Sequence, residues 1–231
     1  MFNNEFNSKY SNVLTIILIV VIVAILGLVA FLGYDFYRKY YIDKEAEEFM
    51  SQYENQLGNT ISDDNTIGDN TISTIIDPVN EITPPSSSGG GNGSSKKVPT
   101  YKGYNVLGII EIPKTGIKYP VLDKVTPKSI QLSVAYYYGP GLNKVGNTTI
   151  YGHNYRNGAF FGKNKQLSNG DIIYITDNTG KKIKYTIYNI YKTTETDAEY
   201  VTRDTKGARE ISLSTCTDDS SARLIICARV E

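Results

Sequence analysis

From Val13 to Leu32 the chain reads VLTIILIVVIVAILGLVAFL, twenty residues without a charge. At 1.5 Å rise per residue such a helix is ~30 Å long, the thickness of bilayer hydrocarbon, so the pattern predicts a membrane span. A cleaved signal peptide has an apolar core of only ~7 to 15 residues followed by small residues, whereas Val29-Ala30-Phe31-Leu32 is bulky. Tyr34 to Leu57 then mixes Tyr, Glu, Lys and Phe, which predicts a juxtamembrane helix with Tyr34, Tyr37, Tyr40 and Tyr41 as an aromatic collar at headgroup depth. From Gly58 to Thr100 the composition turns to Asn, Asp, Ser, Thr, Gly and Pro, ending in PPSSSGGGNGSS at Pro84 to Ser95. Too few bulky apolar groups remain to offset the ordering entropy, and a flexible linker of ~35 Å root-mean-square reach is expected.

From Tyr101 onward short β-branched and aromatic runs recur about every ten residues between Gly, Asn, Asp and Pro, the pattern of an all-β domain. The expected strands are Asn105 to Ile112, Ile117 to Leu122, Thr148 to Tyr151, Asp171 to Asp177, Lys181 to Lys192, Glu210 to Thr215 and Arg223 to Val230. In Lys181 to Lys192, apolar Ile183, Tyr185 and Ile187 alternate with Lys182, Lys184 and Thr186, as a half-buried strand requires. Asp177 to Gly180 (DNTG) supplies a hairpin turn, and TPKSIQLS from Thr126 to Ser133 opens like a short helix capped by Thr126. Closing such a sheet into a barrel removes its vulnerable edges. The chain therefore divides into an anchor (1–33), a juxtamembrane segment and linker (34–100) and a β domain (101–231).

Composition excludes several classes. The 24 basic and 24 acidic groups cancel, but residues 1–100 carry 6 basic and 12 acidic groups (−6), leaving 18 and 12 (+6) for residues 101–231. No run of Lys or Arg exceeds two, so nucleic acid is not an expected partner. Two cysteines and one histidine cannot make a disulfide scaffold or complete a four-ligand structural zinc site.

The sole histidine, His153, lies in TIYGHNYRNG (Thr149 to Gly158), directly after a strand and inside a Gly/Asn-rich loop. Cys216 ends the strand EISLST and precedes TDDSSA, and Arg223 opens the last strand seven residues later. A hairpin over that loop brings Arg223 back towards Cys216. A cysteine nucleophile acts as its thiolate, which a neighbouring imidazolium or guanidinium favours, and arginine presents a fixed fork of donors to an oxyanion. Taken singly, a loop histidine is commonly an ordinary turn residue and a strand-end cysteine a small buried hydrophobe. Cys227, inside the apolar run LIICA, reads as core; a Cys216–Cys227 disulfide is the competing arrangement for an extracytoplasmic protein.

IYGHN (Ile150 to Asn154), LSTC (Leu213 to Cys216) and RLIICAR (Arg223 to Arg229), in that order, resemble the His, TLxTC and Arg signatures of sortases, membrane-anchored cysteine transpeptidases of mainly Gram-positive bacteria. GIIEIPKTGIKYPVL (Gly108 to Leu122) and the TPKSIQ helix start extend the resemblance over residues ~104 to 231. YGHNYRNGAFFG (Tyr151 to Gly162) looks most like class B, but the segment from Thr193 to Glu210 is short for the long class B helix there. A class D-like member is equally compatible, so subclass stays open. With no second apolar span after Val230, the class C arrangement is disfavoured.

The resemblance implies a closed eight-stranded sortase-type β-barrel with one or two short helices behind the transmembrane helix and linker. It implies that Cys216 attacks a Thr carbonyl in a C-terminal sorting signal of a secreted protein, that His153 shuttles the proton and that Arg223 holds substrate and oxyanion. An amine from a peptidoglycan precursor or a pilin then resolves the thioacyl-enzyme. Substrate-binding roles fall to Asn154, Ser214 and Thr215, with the loop from Thr193 to Ala208 as a groove wall. No cofactor is implied, and calcium modulation is left open. Lys9 before the span against Arg38, Lys39 and Lys44 after it runs counter to the positive-inside bias. The extracellular location of sorting signals nevertheless implies a single-pass protein of the cell membrane, N-terminus cytoplasmic and catalytic domain outside, with residues 13–32 in lipid. A hydrolytic cysteine endopeptidase and a non-enzymatic surface-binding module are the competing functions.

Overall fold

A computed structural model describes residues 4–62 and 98–231, with side chains over 12–57 and 98–231. The linker expected at 58–100 thus falls mostly outside the described residues, while residues 58–62 belong to the end of a helix. That helix, α1 (Asn4–Ser62), continues without a break from the apolar stretch through the juxtamembrane segment. Its apolar stretch, long enough to cross a membrane, is unburied by the rest of the chain.

Eight strands close into a barrel. In chain order they are β2 (Tyr104–Ile112), β3 (Ile117–Leu122), β4 (Val134–Tyr138), β5 (Gly146–Tyr151), β6 (Ile172–Asp177), β7 (Lys182–Thr193), β8 (Arg209–Cys216) and β9 (Arg223–Arg229). The pairing order is β2-β3-β4-β5-β8-β9-β7-β6, and β6 returns to β2 through Ile110↔Ile175 and its neighbours, so no barrel edge is left open. A two-residue strand, β1 (Thr100–Tyr101), adds to the start of β2. The β3–β4 and β5–β8 pairs are parallel. The first crosses over through α2 (Ser129–Leu132), and the second is bridged by the β6–β7 hairpin and α3 (Glu199–Thr202).

The expected strands are all present within a residue or two of their expected ends, and the barrel's eighth strand, β4, is the addition. Its sequence VAYYY has no period-two alternation to announce it. Alternation elsewhere does what the pattern requires: Tyr185 and Ile187 of β7 point inward with Ile173, Ile175, Ile109, Ile150 and Leu213, all essentially inaccessible. At the predicted hairpin turn, Gly180 takes φ +85° and its amide donates to the Asp177 carbonyl at 3.0 Å, while Asp177 Oδ1 accepts from the Thr179 and Lys181 amides. Before α2 the Thr126 hydroxyl accepts from the Ser129 amide at 2.9 Å and the Ser129 hydroxyl accepts from the Thr126 amide at 2.8 Å, the reciprocal bonding of a capping box.

The juxtamembrane helix does more than the collar reading allows. Ile42, Ala46, Phe49, Met50, Tyr53 and Leu57 recur every three or four residues, and this stripe packs against the barrel with Ala46, Met50 and Tyr53 buried. Phe49 meets the ring of Tyr101 edge-on at 5.0 Å between centroids. Flanking ion pairs run from Glu45 to Lys102 (2.7 Å) and from Glu54 to Lys118 (2.8 Å), and the Tyr119 hydroxyl donates to Asp43. The collar tyrosines 34, 37, 40 and 41 remain exposed.

Candidate active site

The site is assembled at one end of the barrel, where β5 and β8 run side by side in parallel register from Gly146↔Arg209 to Tyr151↔Ser214. The register continues one step beyond the strand, since the Gly152 amide donates to the Ser214 carbonyl at 3.2 Å. Residues 152–154 therefore lie beside 214–216, which places the His153 segment next to the Cys216 end of β8. On the opposite side of β8 the antiparallel partner β9 pairs Arg223 directly with Cys216. Three residues far apart in sequence are thus set on three adjacent strand ends.

Cys216 is partly exposed, and Arg223 Nη1 donates to its Sγ at 2.7 Å. The other Nη of Arg223 lies 3.7 Å from Glu195 Oε2, a carboxylate of the β7–β8 loop that carries no motif to single it out. Arg229, the other arginine of β9, sits at the far end over the ring of Tyr188, 5.1 Å from its centroid. The turn that follows Cys216 is closed at its base, where the Thr217 amide donates to the Ala222 carbonyl at 2.9 Å.

The His153 loop is stiffened from inside. Phe160 and Phe161 are fully buried, the Phe161 amide donates to the His153 carbonyl at 3.0 Å, and Asn154 bridges to Phe160. A Cβ at Gly162 would stand 2.2 Å from the Tyr155 carbonyl, so the close return of the loop requires glycine. The His153 ring is half-buried with Tyr155 tilted against it, centroids 5.0 Å apart. Burial first, and the guanidinium of Arg38 second, lower its pKa below the ordinary 6.5, so the neutral imidazole is its resting form at neutral pH.

Asn154, Ser214 and Thr215, the residues expected to bind substrate, lie around the Cys216 end of β8. Asn154 Nδ2 donates to the Cys216 carbonyl and to Asp218 Oδ1, both at 3.0 Å, and so clamps the histidine loop to the cysteine loop. Asp218 is held below the ordinary carboxylate range by Lys165 and Asn154. Ser214 and Thr215 are only 2% and 4% exposed: Thr215 shares the inward parity of Leu213, whereas Ser214 lies on the opposite face, where its hydroxyl donates to the Tyr200 hydroxyl at 3.4 Å. Two clefts, of about 430 and 410 Å³, are lined by other residues, among them Leu142 and Asp177 in the first and Tyr136 and Arg203 in the second. Neither is lined by His153, Cys216 or Arg223, so chemistry rather than concavity marks the site.

A family model described as Sortase domain matches residues 110–231, more than half of the chain. The chain belongs to the sortase family. A lid mutant of sortase A from Corynebacterium diphtheriae is 25% identical over 55% of this sortase and 71% of that chain, with a TM-score of 0.51. Sortase C-1 from Actinomyces oris shares the fold at 23% identity, a TM-score of 0.50 and coverage of 55% and 73%. The sortase D5 transpeptidase of Clostridium perfringens, 20% identical, shares the fold over 82% of this sortase and 97% of that chain, with a TM-score of 0.54. A search of curated proteins finds no match. Structures of classes A, C and D thus stand side by side as similar.

Both cysteines are free. Cys227 pairs with Ser212, four residues along β8 from Cys216, which is ~13 Å and beyond bridging distance. Cys227 is 3% exposed, and burial raises its thiol pKa. A methanethiosulfonate reagent added to the folded protein is accordingly expected to modify Cys216 alone, with Cys227 reacting only in denaturant. Intact-mass spectrometry reads the number of adducts, and two adducts on the native protein would reject the assignment.

Proposed function

We propose that the chain is a membrane-anchored cysteine transpeptidase in which Cys216 is the nucleophile, His153 the acid and base, and Arg223 the oxyanion donor. The Arg223 guanidinium against the Cys216 sulfur, on a strand end beside the His153 loop, is the observation that carries this reading. Any acyl carbonyl bonded to that sulfur projects its oxygen into the reach of the same guanidinium. Charge growing on the oxygen as carbon becomes tetrahedral is then met by donors already in place.

In the first half-reaction the Cys216 thiol passes its proton to the resting neutral imidazole of His153, and the thiolate so formed attacks the Thr carbonyl carbon of a sorting signal. The oxyanion collapses, the C–N bond breaks, and the departing amine takes a proton from the His153 imidazolium, leaving a thioacyl-enzyme and a neutral imidazole. In the second, the imidazole removes a proton from an incoming amine as its nitrogen attacks the thioester, and the C–S bond breaks to return the thiolate. Every proton is returned, so the step draws on no cofactor. The amine is that of a peptidoglycan precursor or a pilin. The apolar helix supports a single-pass anchor; the N-terminus is cytoplasmic in this reading because the enzyme must stand where secreted substrates emerge.

Incubating the enzyme with a labelled sorting peptide, with and without an added amine, is expected to give the amide product by mass spectrometry when amine is present. A hydrolysed acid as the sole product at saturating amine would assign a peptidase, and full activity in Cys216→Ala would remove the enzyme reading.

A further inference from the structure

The first turns of α1 beyond its apolar stretch reach the loop that carries the histidine. The Arg38 guanidinium lies over the Tyr155 ring, 5.1 Å from its centroid, and the same ring is tilted against that of His153, centroids 5.0 Å apart. One turn earlier, Asn157 Nδ2 of the same loop donates to the Asp35 carbonyl at 3.3 Å. The helix is held in this pose further along by Tyr119 on Asp43, Lys102 on Glu45, Lys118 on Glu54 and the burial of Ala46, Met50 and Tyr53. From Asp35 to Glu54 it is fastened over ~28 Å, so Arg38 is presented by a rigid element and not by a tether.

We infer that Arg38 is a positioning residue of the active site: stacked on Tyr155, with Asp35 bonded to Asn157, it seats the His153 loop on the juxtamembrane helix and fixes a cation behind the imidazole. The inference rests on the transpeptidase reading for what His153 does in catalysis, but not for the contact itself. Arg38 is only six residues, ~9 Å of helix, past Leu32, so the same contact holds the active site close to the end of the apolar stretch.

Charged and titratable groups reach His153 from three other elements. Arg38 faces it from α1, and Tyr155 from its own loop, where Arg156 is exposed. Cys216 lies beside it on β8, Arg223 on β9 is engaged by Cys216 and Glu195, and Asp218 is occupied by Asn154 and Lys165. Among the described contacts Lys165 and Arg223 are engaged by carboxylates whereas Arg38 and Arg156 are not, and of these two it is Arg38 that disfavours the imidazolium. Removing it raises the pKa of His153, so the group stays protonated to higher pH and the acid limb of the rate profile moves upward.

Because His153 is the only histidine, its ring signals in the ¹³C-histidine-labelled full chain, reconstituted in lipid nanodiscs, can be titrated without ambiguity. The midpoint is expected to rise in Arg38→Gln and to stay near wild type in Arg38→Lys, which keeps the charge. In wild type it is expected to rise with added salt, since Arg38 is exposed and therefore screened. The acid limb of kcat/KM with a sorting peptide should move with the Arg38→Gln midpoint. Barrel amide spectra of both variants verify the fold. An unmoved midpoint in Arg38→Gln, or equal movement in Arg38→Lys, overturns the inference whatever the activity. Movement as expected in a protein that transfers no acyl group would support the contact and sink the transpeptidase reading instead.

Discussion

Arg223→Ala is expected to lower acyl transfer from a sorting peptide by about 10²- to 10³-fold, the usual consequence of removing one donor to an oxyanion. Arg229→Ala is expected to stay near wild type. Both arginines belong to β9 and, six residues apart, have the same parity, so the sequence separates them only by position along ~20 Å of strand. In the fold Arg223 is paired with Cys216 and donates to its sulfur, whereas Arg229 is paired with Glu210 and Thr186 and stacks on Tyr188. Arg223→Lys should also be impaired, because an ammonium does not reproduce the planar fork that reaches the sulfur and Glu195 together. Rates are compared after circular dichroism has verified the fold of each variant. A dead Arg229→Ala beside a near-normal Arg223→Ala would reverse the assignment.

The second large effect concerns stability. Arg203, directly after α3, makes bonds of 2.9 and 2.6 Å to Glu210 Oε2, and its Nη1 donates to Ser212 Oγ, the Tyr200 carbonyl and Cys227 Sγ. Tyr188 donates its hydroxyl to the same Glu210 oxygen at 2.8 Å. With side chains only 20% and 10% exposed, the pair cannot fall back on water when one member is lost. Glu210→Gln is expected to cost about 3 kcal/mol, the lower end for breaking a buried pair, because the guanidinium is left without its counter-charge. Replacing both partners by leucine should cost markedly less than the sum of the single changes. Urea unfolding midpoints measure all three variants, and additive losses would show that the two charges act independently. The same network ties down the loop that carries Glu195, so Glu210→Gln should also slow transfer.

How far the sequence carried the fold can be traced element by element. Alternation in KKIKYTIYNIYK, the DNTG turn and the TPKS cap are local signals, decided by a residue and its near neighbours, and each is realised as β7, its hairpin and α2. The order His153, Cys216, Arg223 is likewise written in one dimension. What escaped lacks a local signature: β4 is a run of tyrosines without a polar face. The stripe Ile42, Ala46, Phe49, Met50, Tyr53, Leu57 was present in the sequence, but four nearby tyrosines at headgroup spacing offered a competing reading of the same helix.

The chain by itself determined that one uncharged helix leads into a β domain, where the strands begin and end, and that His153, Cys216 and Arg223 stand at strand ends. Those properties follow from side-chain periodicity and backbone preference, which act over a few residues. Only the tertiary structure decided that β6 returns to β2, that parallel pairing of β5 with β8 brings the histidine loop beside the cysteine, and that Asn154 clamps one loop to the other. It alone set Glu195 on Arg223 and Arg38 behind His153. Those contacts join residues tens of positions apart, and in each case the partner is chosen by barrel closure and by burial of α1 on its wall, which depend on the whole chain at once.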